Sequence, residues 1–349
     1  MTDTSALPPS PEVLVIGAGL SGLAAARQLV ERGVHVHVVD AADEVGGRIR
    51  TDDVDGFRLD RGFQVLLTAY EELQAHVDLE RLDLAPFNAG SMIWSGKRLE
   101  TLGDPYRNPS SAISTLGAQL GTIADKMKVA SLRHRLLGRS PEEAIEGPDR
   151  STLEELEALG FSGDFIDSFF RPFLGGVFLE RDLATSARLF RYYFRCFAGG
   201  DAAVPTGGMQ RLPERLAAPL EGRLTLDAPV RALSPSGVIM SDGTHVSADQ
   251  IVVAADGHGA SALLGEPSPT FKATVTSYFA CEHPPTKEAM LVLVGEGTGP
   301  VNHMAVMSAV SSSYAPEGKH LVSVSAVAAA AADPDAVRVE APRQLRRSS

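Results

Sequence analysis

The stretch from residue 13 to residue 48 constrains the fold of this chain more than any other feature. An apolar run, Val13–Ile16, predicts a short buried strand, and the sequence Gly-Ala-Gly-Leu-Ser-Gly follows it at once. Apolar residues over 20–32 repeat at helical spacing, and a second strand over 34–39 ends at Asp40. A strand, a glycine turn, a helix and an acid-terminated strand in this order predict a βαβ unit that binds a dinucleotide.

Each glycine of the turn has a different task in such a unit. Gly17 lets the chain turn sharply off the strand, Gly19 lets backbone amides approach a pyrophosphate, and Gly22 lets the helix pack on the strand. The helix N-terminus offers N–H groups and a positive dipole end to the phosphates. The carboxylate of Asp40 can accept hydrogen bonds from both ribose hydroxyls and would repel a 2′-phosphate, which argues against NADP. The predicted contact residues here are Gly17, Ala18, Gly19, Leu20, Ser21, Gly22, Asp40 and Ala41.

A second glycine motif, Gly46-Gly47-Arg48, narrows the choice of dinucleotide. Two adjacent glycines admit close backbone approach, and a guanidinium is a good bidentate partner for phosphate. The spacing from Asp40 to this motif resembles that of the flavin amine oxidase superfamily, which includes monoamine and polyamine oxidases, protoporphyrinogen oxidase and carotenoid desaturases. In that family the glycine pair passes beside the FAD diphosphate and the arginine supplies charge. The resemblance therefore implies FAD as the cofactor.

Two further segments, residues 55–64 and 204–216, are also similar to that family. The resemblance implies that Gly62 and Gln64 contact FAD and that Val230 meets the adenine through its backbone. It also implies an α/β fold, in which a Rossmann-like FAD-binding domain with a doubly wound parallel sheet is interleaved with a mixed α+β substrate domain. The expected ranges are 12–75 and 204–266 for the FAD-binding domain, 76–203 and 267–325 for the substrate domain, and 1–11 for a disordered N-terminus.

The amino-acid composition limits the kinds of molecule to which this protein can bind. A net charge of −12 argues against nucleic acid and disfavours electrostatic docking to anionic membranes. No run of about 18 apolar residues is present, so we expect no transmembrane segment, while peripheral membrane contact stays open. Two distant cysteines, Cys196 and Cys281, fit a reduced cytoplasm with both thiols buried. We find no metal-ligand spacing among His, Cys, Asp and Glu, so we expect no metal site.

The rest of the sequence predicts secondary structure but no specific binding site. Helices are expected over 68–77, over most of 113–137 and over most of 152–173, the last with a capped start at Ser151 or Thr152. The aromatic residues between 161 and 193 predict a helical core, and as a group they could also wall an apolar substrate cavity. Strands are expected at 224–227, 230–233, 251–255 and, as a hairpin with an Asp242-Gly243 turn, at 238–246.

The sequence does not identify a catalytic residue. Amine-oxidising relatives carry a lysine on a substrate-domain strand, and the matching strand here has Thr274 and Thr276 instead. Lys272 and Lys287 lie nearby but fit ordinary exposed lysines better. This favours dehydrogenation or desaturation of a small or apolar organic substrate, by hydride transfer to flavin, over amine oxidation proper. The electron acceptor, whether oxygen, a quinone or another protein, stays open.

The C-terminal part departs from the family. Resembling proteins end with a Gly-Asp strand and a glycine-rich helix start that returns to FAD, and we find nothing similar after residue 325. We therefore expect the resemblance to cover about 12–325, residues 326–349 to be an altered or shortened tail, and FAD to be held weakly. An NAD-linked dehydrogenase, and a flavin-fold binding protein without activity, are the alternatives to an FAD-dependent oxidoreductase. The strand pattern at 224–256 and the Gly-Gly-Arg motif count against NAD.

Overall fold

A computed structural model describes residues 10–297 and 299–346 of the chain. Disorder is predicted for residues 1–11, and residues 1–9 of that range lie outside the described residues. The chain divides into two compact units. The first unit consists of Met1–Asp52, Ala75–Asp83 and Gly207–Phe271, and the second of Asp53–Gln74, Leu84–Thr206 and Lys272–Ser349. Which ranges form the FAD-binding and substrate domains stays a prediction.

The elements are numbered in chain order. The strands are β1 (Val13–Ile16), β2 (Val36–Val39), β3 (Thr51–Val54), β4 (Phe57–Asp60), β5 (Leu66–Leu67), β6 (Leu84–Pro86), β7 (Gly90–Trp94), β8 (Leu99–Gly103), β9 (Ala202–Pro205), β10 (Leu224–Thr225), β11 (Val230–Ser234), β12 (Gly237–Met240), β13 (His245–Ser247), β14 (Gln250–Val253), β15 (Thr274–Cys281), β16 (Leu291–Val294), β17 (His303–Val306) and β18 (His320–Val327). The helices are α1 (Leu20–Glu31), α2 (Glu71–His76), α3 (Ser111–Gly117), α4 (Ile123–Leu137), α5 (Pro141–Ala144), α6 (Thr152–Ala158), α7 (Gly163–Phe165), α8 (Arg171–Phe178), α9 (Ala187–Gly199), α10 (Arg211–Ala217), α11 (Gly257–Leu264), α12 (Met307–Val310) and α13 (Pro334–Arg346).

The first unit is built on a parallel sheet with the strand order β10-β2-β1-β14. Val15 of β1 pairs with Val38 on one side and with Val252 on the other. All residues of β1 and β2 are buried, as expected of parallel strands that are covered on both faces. This sheet confirms the predicted α/β fold class with a Rossmann-like parallel sheet.

The predicted boundaries near this sheet need small corrections. The second strand begins at Val36 rather than at residue 34, because the chain first turns through Gly33, whose φ is +81°. The predicted hairpin with its Asp242-Gly243 turn is confirmed as β12 and β13. Its apolar residues Val238 and Val246 are buried in the same cluster as β1 and β2 residues.

The second unit contains a six-stranded sheet with the order β15-β18-β17-β16-β7-β8, in which only β16 and β7 run parallel. One face of the sheet is apolar. Its residues, among them Trp94, Val292, Met304 and Val324, form a core cluster that also includes Ala341 of α13. Whether residues 326–349 are an altered or shortened tail stays a prediction. Strand β18 continues to residue 327, and α13 packs into the core of the unit.

Helices fill much of the remaining second unit. The stretch 113–137, predicted to be mostly helical, contains two helices, α3 and α4. They are separated at Gly121, whose φ of +59° is incompatible with a continuous helix. The predicted helix over 68–77 is shorter, because Thr68 pairs through its backbone with Asp201 and only α2 is helical. The predicted helical core is confirmed: the most deeply buried aromatic side chains include Phe165, Phe170 and Phe190. A substrate cavity lined by these aromatic residues stays a prediction.

The start of α4 is fixed by a buried carboxylate. Asp125 accepts hydrogen bonds from the backbone N–H and the hydroxyl of Thr122, at 2.8 and 2.7 Å, and from the same two groups of Ser162, at 2.9 and 2.8 Å. Burial by itself raises the pKa of Asp125, but the donors on Ser162 and Thr122 outweigh it and lower the pKa to about 2. The charged form of this side chain therefore stabilises the fold.

We expect Asp125 to contribute on the order of 2 kcal/mol of stability above about pH 4, lost as the pH falls toward 2. The loss follows because the unfolded carboxyl takes up a proton at higher pH than the folded one. Asp125→Asn should lower the free energy of unfolding at pH 7 and flatten its pH dependence between pH 4 and 2, as measured by urea unfolding. Asp335→Asn, at an exposed position on α13, is the matched control. An equal acid loss in Asp125→Asn and wild type would contradict the assignment.

The two cysteines differ from the prediction in one respect. Both are free thiols, and Cys196 is buried as expected, but Cys281 lies at the end of β15 and is only half-buried. Burial raises the pKa of both thiols. None of the helices in the described part of the chain has the length and apolar character needed to cross a bilayer. The same residues contain no group of three or more His, Cys, Asp or Glu side chains that could hold a metal ion.

Candidate dinucleotide site and buried polar row

The glycine turn after β1 is packed too tightly for any other residue at two of its positions. Gly17 has a φ of +113°, and a Cβ there would lie 2.6 Å from the carbonyl oxygen of Ala254. A Cβ on Gly22 would lie 1.9 Å from the carbonyl oxygen of Gly17. These contacts give the predicted roles of both glycines a direct steric basis: Gly17 allows the turn, and Gly22 allows α1 to pack on the strand.

Gly19 differs from its neighbours because a Cβ there would meet nothing within 4 Å. It is the N-cap of α1, and it has no side chain that could cap the helix. Space beside the turn is therefore open where α1 presents its first N–H groups and the positive end of its dipole. A bound phosphate satisfies such groups and is stabilised by the dipole.

The second glycine motif lies directly against this turn. Gly46 forms a bridge with Gly19 and donates its N–H to the carbonyl of Ala18 at 2.8 Å. Gly46 and Gly47 have φ values of +116° and +60°, and a Cβ on Gly47 would lie 3.5 Å from the Cα of Gly19. The two motifs predicted to contact phosphate are at least 24 residues apart in the sequence. In the structure they lie together and form one cradle lined by glycines.

Asp40 is fixed at the carboxyl end of β2. Its carboxylate accepts hydrogen bonds from the N–H groups of Ala18, at 2.5 Å, and Ala42, at 2.7 Å. Its backbone carbonyl accepts from the N–H of Ala228 at 2.8 Å, two residues before Val230. A carboxylate has about four acceptor positions, so these two bonds leave capacity for ribose hydroxyls. The loop that leads to Val230 is thereby tied to the acid.

The other predicted contact residues differ in exposure. Ala41, Ser21 and Arg48 are exposed, and Leu20 and Val230 are half-buried. Gly62 and Gln64 belong to the second unit. Their contact with FAD stays a prediction.

Gln210 is a supporting residue that the sequence reasoning missed. Its side-chain amide donates to the carbonyl of Val45 at 2.8 Å, and its backbone N–H donates to the hydroxyl of Thr51 at 3.0 Å. It therefore holds the loop that carries Gly46 and Gly47. Gln210 lies within the 204–216 segment that resembles the family, so the sequence did point to this segment. The local sequence did not show which residue of the segment would hold the glycine loop.

The residues of the first unit fit the ADP half of a dinucleotide. The open space at Gly19, which a Cβ would fill, and the uncapped start of α1 suit a pyrophosphate, and Asp40 suits an unphosphorylated ribose. His37 on β2 is also buried, and its Nε2 lies 2.8 Å from the hydroxyl of Thr225. Burial and the neighbouring His35 and Arg223 lower the pKa of His37 to about 4, so it adds no charge to the site at neutral pH.

The second unit carries a row of polar side chains across the face of its sheet opposite the apolar core. His303, Ser325 and Thr276 are cross-strand neighbours in β17, β18 and β15. The hydroxyls of Thr276 and Ser325 share a hydrogen bond of 2.9 Å, and Thr276 accepts another from the N–H of Phe63 at 3.1 Å. We call these three residues the polar row.

The segment that contains Gly62 is fixed on the same sheet. Tyr314 donates its hydroxyl to the buried carboxylate of Asp60 at 2.7 Å, and Tyr278 donates to the Asp60 carbonyl at 2.8 Å. Burial and the charge of Asp60 raise the pKa of both tyrosines, which therefore remain protonated donors. The rings of Phe63 and His303 lie 4.9 Å apart, centroid to centroid.

His303 and its neighbour Asn302 have buried polar atoms without partners among the described residues. The Asn302 amide nitrogen lies 2.8 Å from the Pro172 carbonyl and 3.1 Å from Nδ1 of His303. Because an amide nitrogen donates, Nδ1 accepts and the imidazole proton sits on Nε2. That Nε2 and Oδ1 of Asn302 are buried and unpaired. Burial lowers the pKa of His303 to about 4, so the ring is neutral at pH 7.

The lysines near β15 are placed as follows. Lys272 is exposed, as predicted, and it pairs with Glu180 and donates to the hydroxyl of Thr185 at 3.0 Å. Lys287 is exposed, as predicted. Thr276, at one of the two positions where the sequence comparison placed threonine instead of the amine oxidase lysine, lies in the polar row, and Thr274 bonds the Ala326 carbonyl at 3.0 Å.

Comparison with known families agrees with this arrangement. A family model described as flavin containing amine oxidoreductase matches residues 20–347. The chain belongs to the flavin-containing amine oxidoreductase family. The match continues past residue 325, so the expectation that the resemblance stops there is wrong. Flavin is the cofactor of this family, and FAD is the cofactor of this member, as the sequence predicted.

Curated members with different substrates are similar to this chain. Putrescine oxidase of Kocuria rosea is 29% identical over 265 residues, covering 70% of this chain and 54% of the relative. Phytoene dehydrogenase of Streptomyces griseus is 28% identical over 293 residues, covering 74% and 56%. Protoporphyrinogen oxidase 2 of Arabidopsis thaliana is 26% identical over 165 residues, covering 47% and 32%. The chain thus spans about a third to a little over half of the length of these relatives.

Solved structures of other proteins share the fold of this chain. A triple mutant of putrescine oxidase superimposes with a TM-score of 0.73 at 19% identity, covering 97% of this chain and 81% of that one. An oxidoreductase from Methanosarcina mazei gives a TM-score of 0.71 at 18% identity, covering 96% and 82%. At this identity the similarity shows the fold alone, and the chemistry of this chain has to be argued from its own residues.

Proposed function

We propose that the chain is an FAD-dependent oxidoreductase that dehydrogenates or desaturates a small or apolar organic substrate. The observation that carries this proposal is the glycine cradle beside the uncapped start of α1, in a chain of a flavin-containing family. When bound, FAD supplies a hydride acceptor. The residues of the chain have to hold the cofactor, meet the substrate and keep water away.

The first unit holds the ADP half of the cofactor in this proposal. The N–H groups at the start of α1 bind the pyrophosphate, and Gly19 and Gly47 allow its close approach. Exposed Arg48 supplies a guanidinium for the phosphates. Asp40 accepts hydrogen bonds from the ribose hydroxyls while the Ala18 and Ala42 amides hold its orientation.

The second unit supports a substrate that is neutral rather than cationic. Thr276, Ser325 and His303 present hydroxyls and a neutral imidazole, without a charged group in the row. Lys272, the lysine candidate that lies just before β15, is paired with Glu180. A row of this kind can orient a polar substituent by hydrogen bonds, but it offers no carboxylate to a substrate ammonium group.

Amine oxidation proper is the second candidate function. Its support is the similarity to putrescine oxidase and, at 43% identity over 161 residues, to probable polyamine oxidase 4 of Arabidopsis thaliana. Against it stands the threonine pair on β15. A cytoplasmic location and the nature of the electron acceptor, oxygen or a quinone, stay predictions.

A reduction assay under anaerobic conditions tests the proposal. The chain is purified, its flavin absorbance per protein is measured, and the FAD-loaded protein is mixed with representative amines, porphyrinogens and polyenes. We expect loss of the visible flavin absorbance with a porphyrinogen or a polyene and not with diamines. Bleaching by diamines alone would favour the amine oxidase function. Stoichiometric FAD that no substrate bleaches would favour the binding protein without activity.

A further inference from the structure

Two arginines follow the glycine pair of the cradle, and the structure gives them different surroundings. Arg48 is exposed, and the proposed function assigns its guanidinium to the phosphates of the cofactor. Arg50 is buried, and only 7% of its side chain is exposed. An enclosed side chain offers almost no surface to a phosphate that lies in the open space beside Gly19. The two arginines therefore have different roles.

Arg50 is paired with two acids of the loop that precedes the glycine pair. Its Nη1 lies 2.8 Å from Oδ1 of Asp43, and its Nη2 lies 3.0 Å from Oε2 of Glu44. Its Nε is buried without a partner among the described residues, so the two ion pairs compensate the buried charge. A guanidinium that leaves water is stable only with such partners. The two acids are therefore tied to the buried position of Arg50.

The ion pairs close a short loop around the glycine pair. The acids lie two and three residues before Gly46, and Arg50 lies three residues after Gly47. Both ends of the loop over residues 43–50 therefore meet at one guanidinium. Inside the loop, the N–H of Ile49 donates to the carbonyl of Gly46 at 3.0 Å. This hydrogen bond and the two ion pairs set the shape of the loop.

The cradle depends on that shape because the contacts around the glycine pair are close. A Cβ on Gly46 would lie 2.2 Å from the carbonyl oxygen of Ile49 and 2.9 Å from Cγ of Pro213. A Cβ on Gly47 would lie 3.5 Å from the Cα of Gly19. Binding sites tolerate displacements of about 0.5 Å, so even a small movement of this loop would change the space that a pyrophosphate needs.

We propose that Arg50 is a positioning residue for the FAD pyrophosphate. Through its two ion pairs it holds the glycine pair against Gly19, and it does not contact the phosphates itself. This role rests on the proposed function, because it requires the phosphates to lie in the cradle. A loop that is already held in its binding conformation costs little ordering free energy when the cofactor binds. Without the ion pairs the guanidinium would turn toward water and carry the loop with it.

Removal of the two acids distinguishes this role from a direct contact by the sign of its effect. If Arg50 bound the phosphates, Asp43 and Glu44 would compete for its guanidinium, and D43N/E44Q would strengthen FAD binding. If Arg50 positions the loop, the same variant weakens FAD binding. The acids also repel the phosphates through solvent, and about 1 M salt suppresses that repulsion because the Debye length is then about 3 Å. Binding is therefore measured in high salt.

FAD release from the loaded full chain on dilution, followed by flavin fluorescence, measures the dissociation constant, and competition by ADP tests the ADP half alone. The variant D43N/E44Q/R50M removes the buried charge together with its partners, so its stability should stay close to that of the wild type. Arg50→Lys keeps the charge and can meet one carboxylate at a time. The matched control Arg81→Gln removes the cation of an exposed ion pair with Asp78 in the same unit.

We expect D43N/E44Q and the triple variant to bind FAD and ADP about tenfold more weakly than the wild type. Arg50→Lys should bind both only about threefold more weakly, and Arg81→Gln as the wild type does. Tighter FAD binding by D43N/E44Q would assign Arg50 to the phosphates and overturn the proposal. Loss of FAD affinity without loss of ADP affinity would place the effect outside the pyrophosphate half and also overturn it.

Gly19→Ala separates failure of this role from failure of the cradle. If Gly19→Ala weakens FAD binding and the triple variant does not, the positioning role of Arg50 is wrong while the cradle of the proposed function remains. If FAD binding is unchanged in both variants, the cradle itself is wrong, and the role of Arg50 is overturned with it.

Discussion

Gly22→Ala should abolish FAD retention and lower the free energy of unfolding of the first unit by about 3 kcal/mol. The added Cβ would lie 1.9 Å from the carbonyl oxygen of Gly17, and 3.2 Å from the Cβ of Ala254. A backbone oxygen at that distance cannot be avoided by a side-chain rotation, so α1 must move away from β1. The start of α1 then no longer presents its N–H groups beside Gly19. Flavin absorbance after desalting and urea unfolding measure the two effects.

Gly19→Ala is the matched substitution that separates cofactor binding from folding. Its Cβ would meet nothing within 4 Å, and the backbone φ of −72° is ordinary for alanine. We expect unfolding to stay within about 0.5 kcal/mol of the wild type, while FAD affinity falls at least about tenfold, because the methyl group occupies the space predicted for the pyrophosphate. Full FAD retention in Gly19→Ala would contradict the proposed position of the phosphates.

Gly33→Ala is the control for a loss of stability without a loss of FAD binding. This glycine follows α1, is exposed, and has a φ of +81°, with open space around the position of a Cβ. Alanine there should cost about 1 kcal/mol of stability through backbone strain and leave FAD affinity unchanged. The three glycine variants together distinguish loss of cofactor through misfolding from loss through direct contact.

Acid should destabilise the second unit through His303, by about 3 kcal/mol between pH 6.5 and pH 4. Burial lowers the pKa of the folded imidazole from 6.5 to about 4. As the pH falls through this window, the unfolded chain binds a proton that the folded chain does not, so stability is full above pH 6.5 and declines below it. The free energy of unfolding, measured at several pH values by urea titration, should show this slope.

The difference between wild type and His303→Gln isolates that contribution. His37 in the first unit has its pKa lowered to about 4 as well and remains in both proteins, so its effect cancels in the comparison. His303→Gln should lower stability at pH 7, because the ring contact with Phe63 is lost, and should reduce the slope between pH 6.5 and 4. His283→Gln, at an exposed position, should change neither. An unchanged slope in His303→Gln would show that the imidazole is not buried in its neutral form.

Local signals explain what could be predicted from the sequence. The turn from Gly17 to Gly22, the helix after it and the hairpin at Asp242-Gly243 depend on residues within a few positions of each other, and the structure contains each of them. The segment around Gln210 resembled the family, but its link to Val45 joins residues 165 positions apart. A pattern in one segment does not show which residue of a distant loop it will hold.

The features that the sequence did not show have the same origin. Only the pairing of β18 with β15 and β17 shows that Ser325 meets Thr276 on one side and His303 on the other. The packing of Ala341 in the cluster that contains Trp94 and Val324 also joins segments that are far apart in the chain.

The sequence by itself determined the dinucleotide turn, the acid at Asp40 and the family, because the backbone demands of a phosphate cradle restrict residue types over a short, continuous stretch. Only the tertiary structure decided which glycines are sterically required and which one faces open space. It also decided that three polar residues of separate strands form one row across the sheet. Those features depend on distances between segments far apart in the chain, and such distances are set by strand pairing and core packing rather than by local pattern.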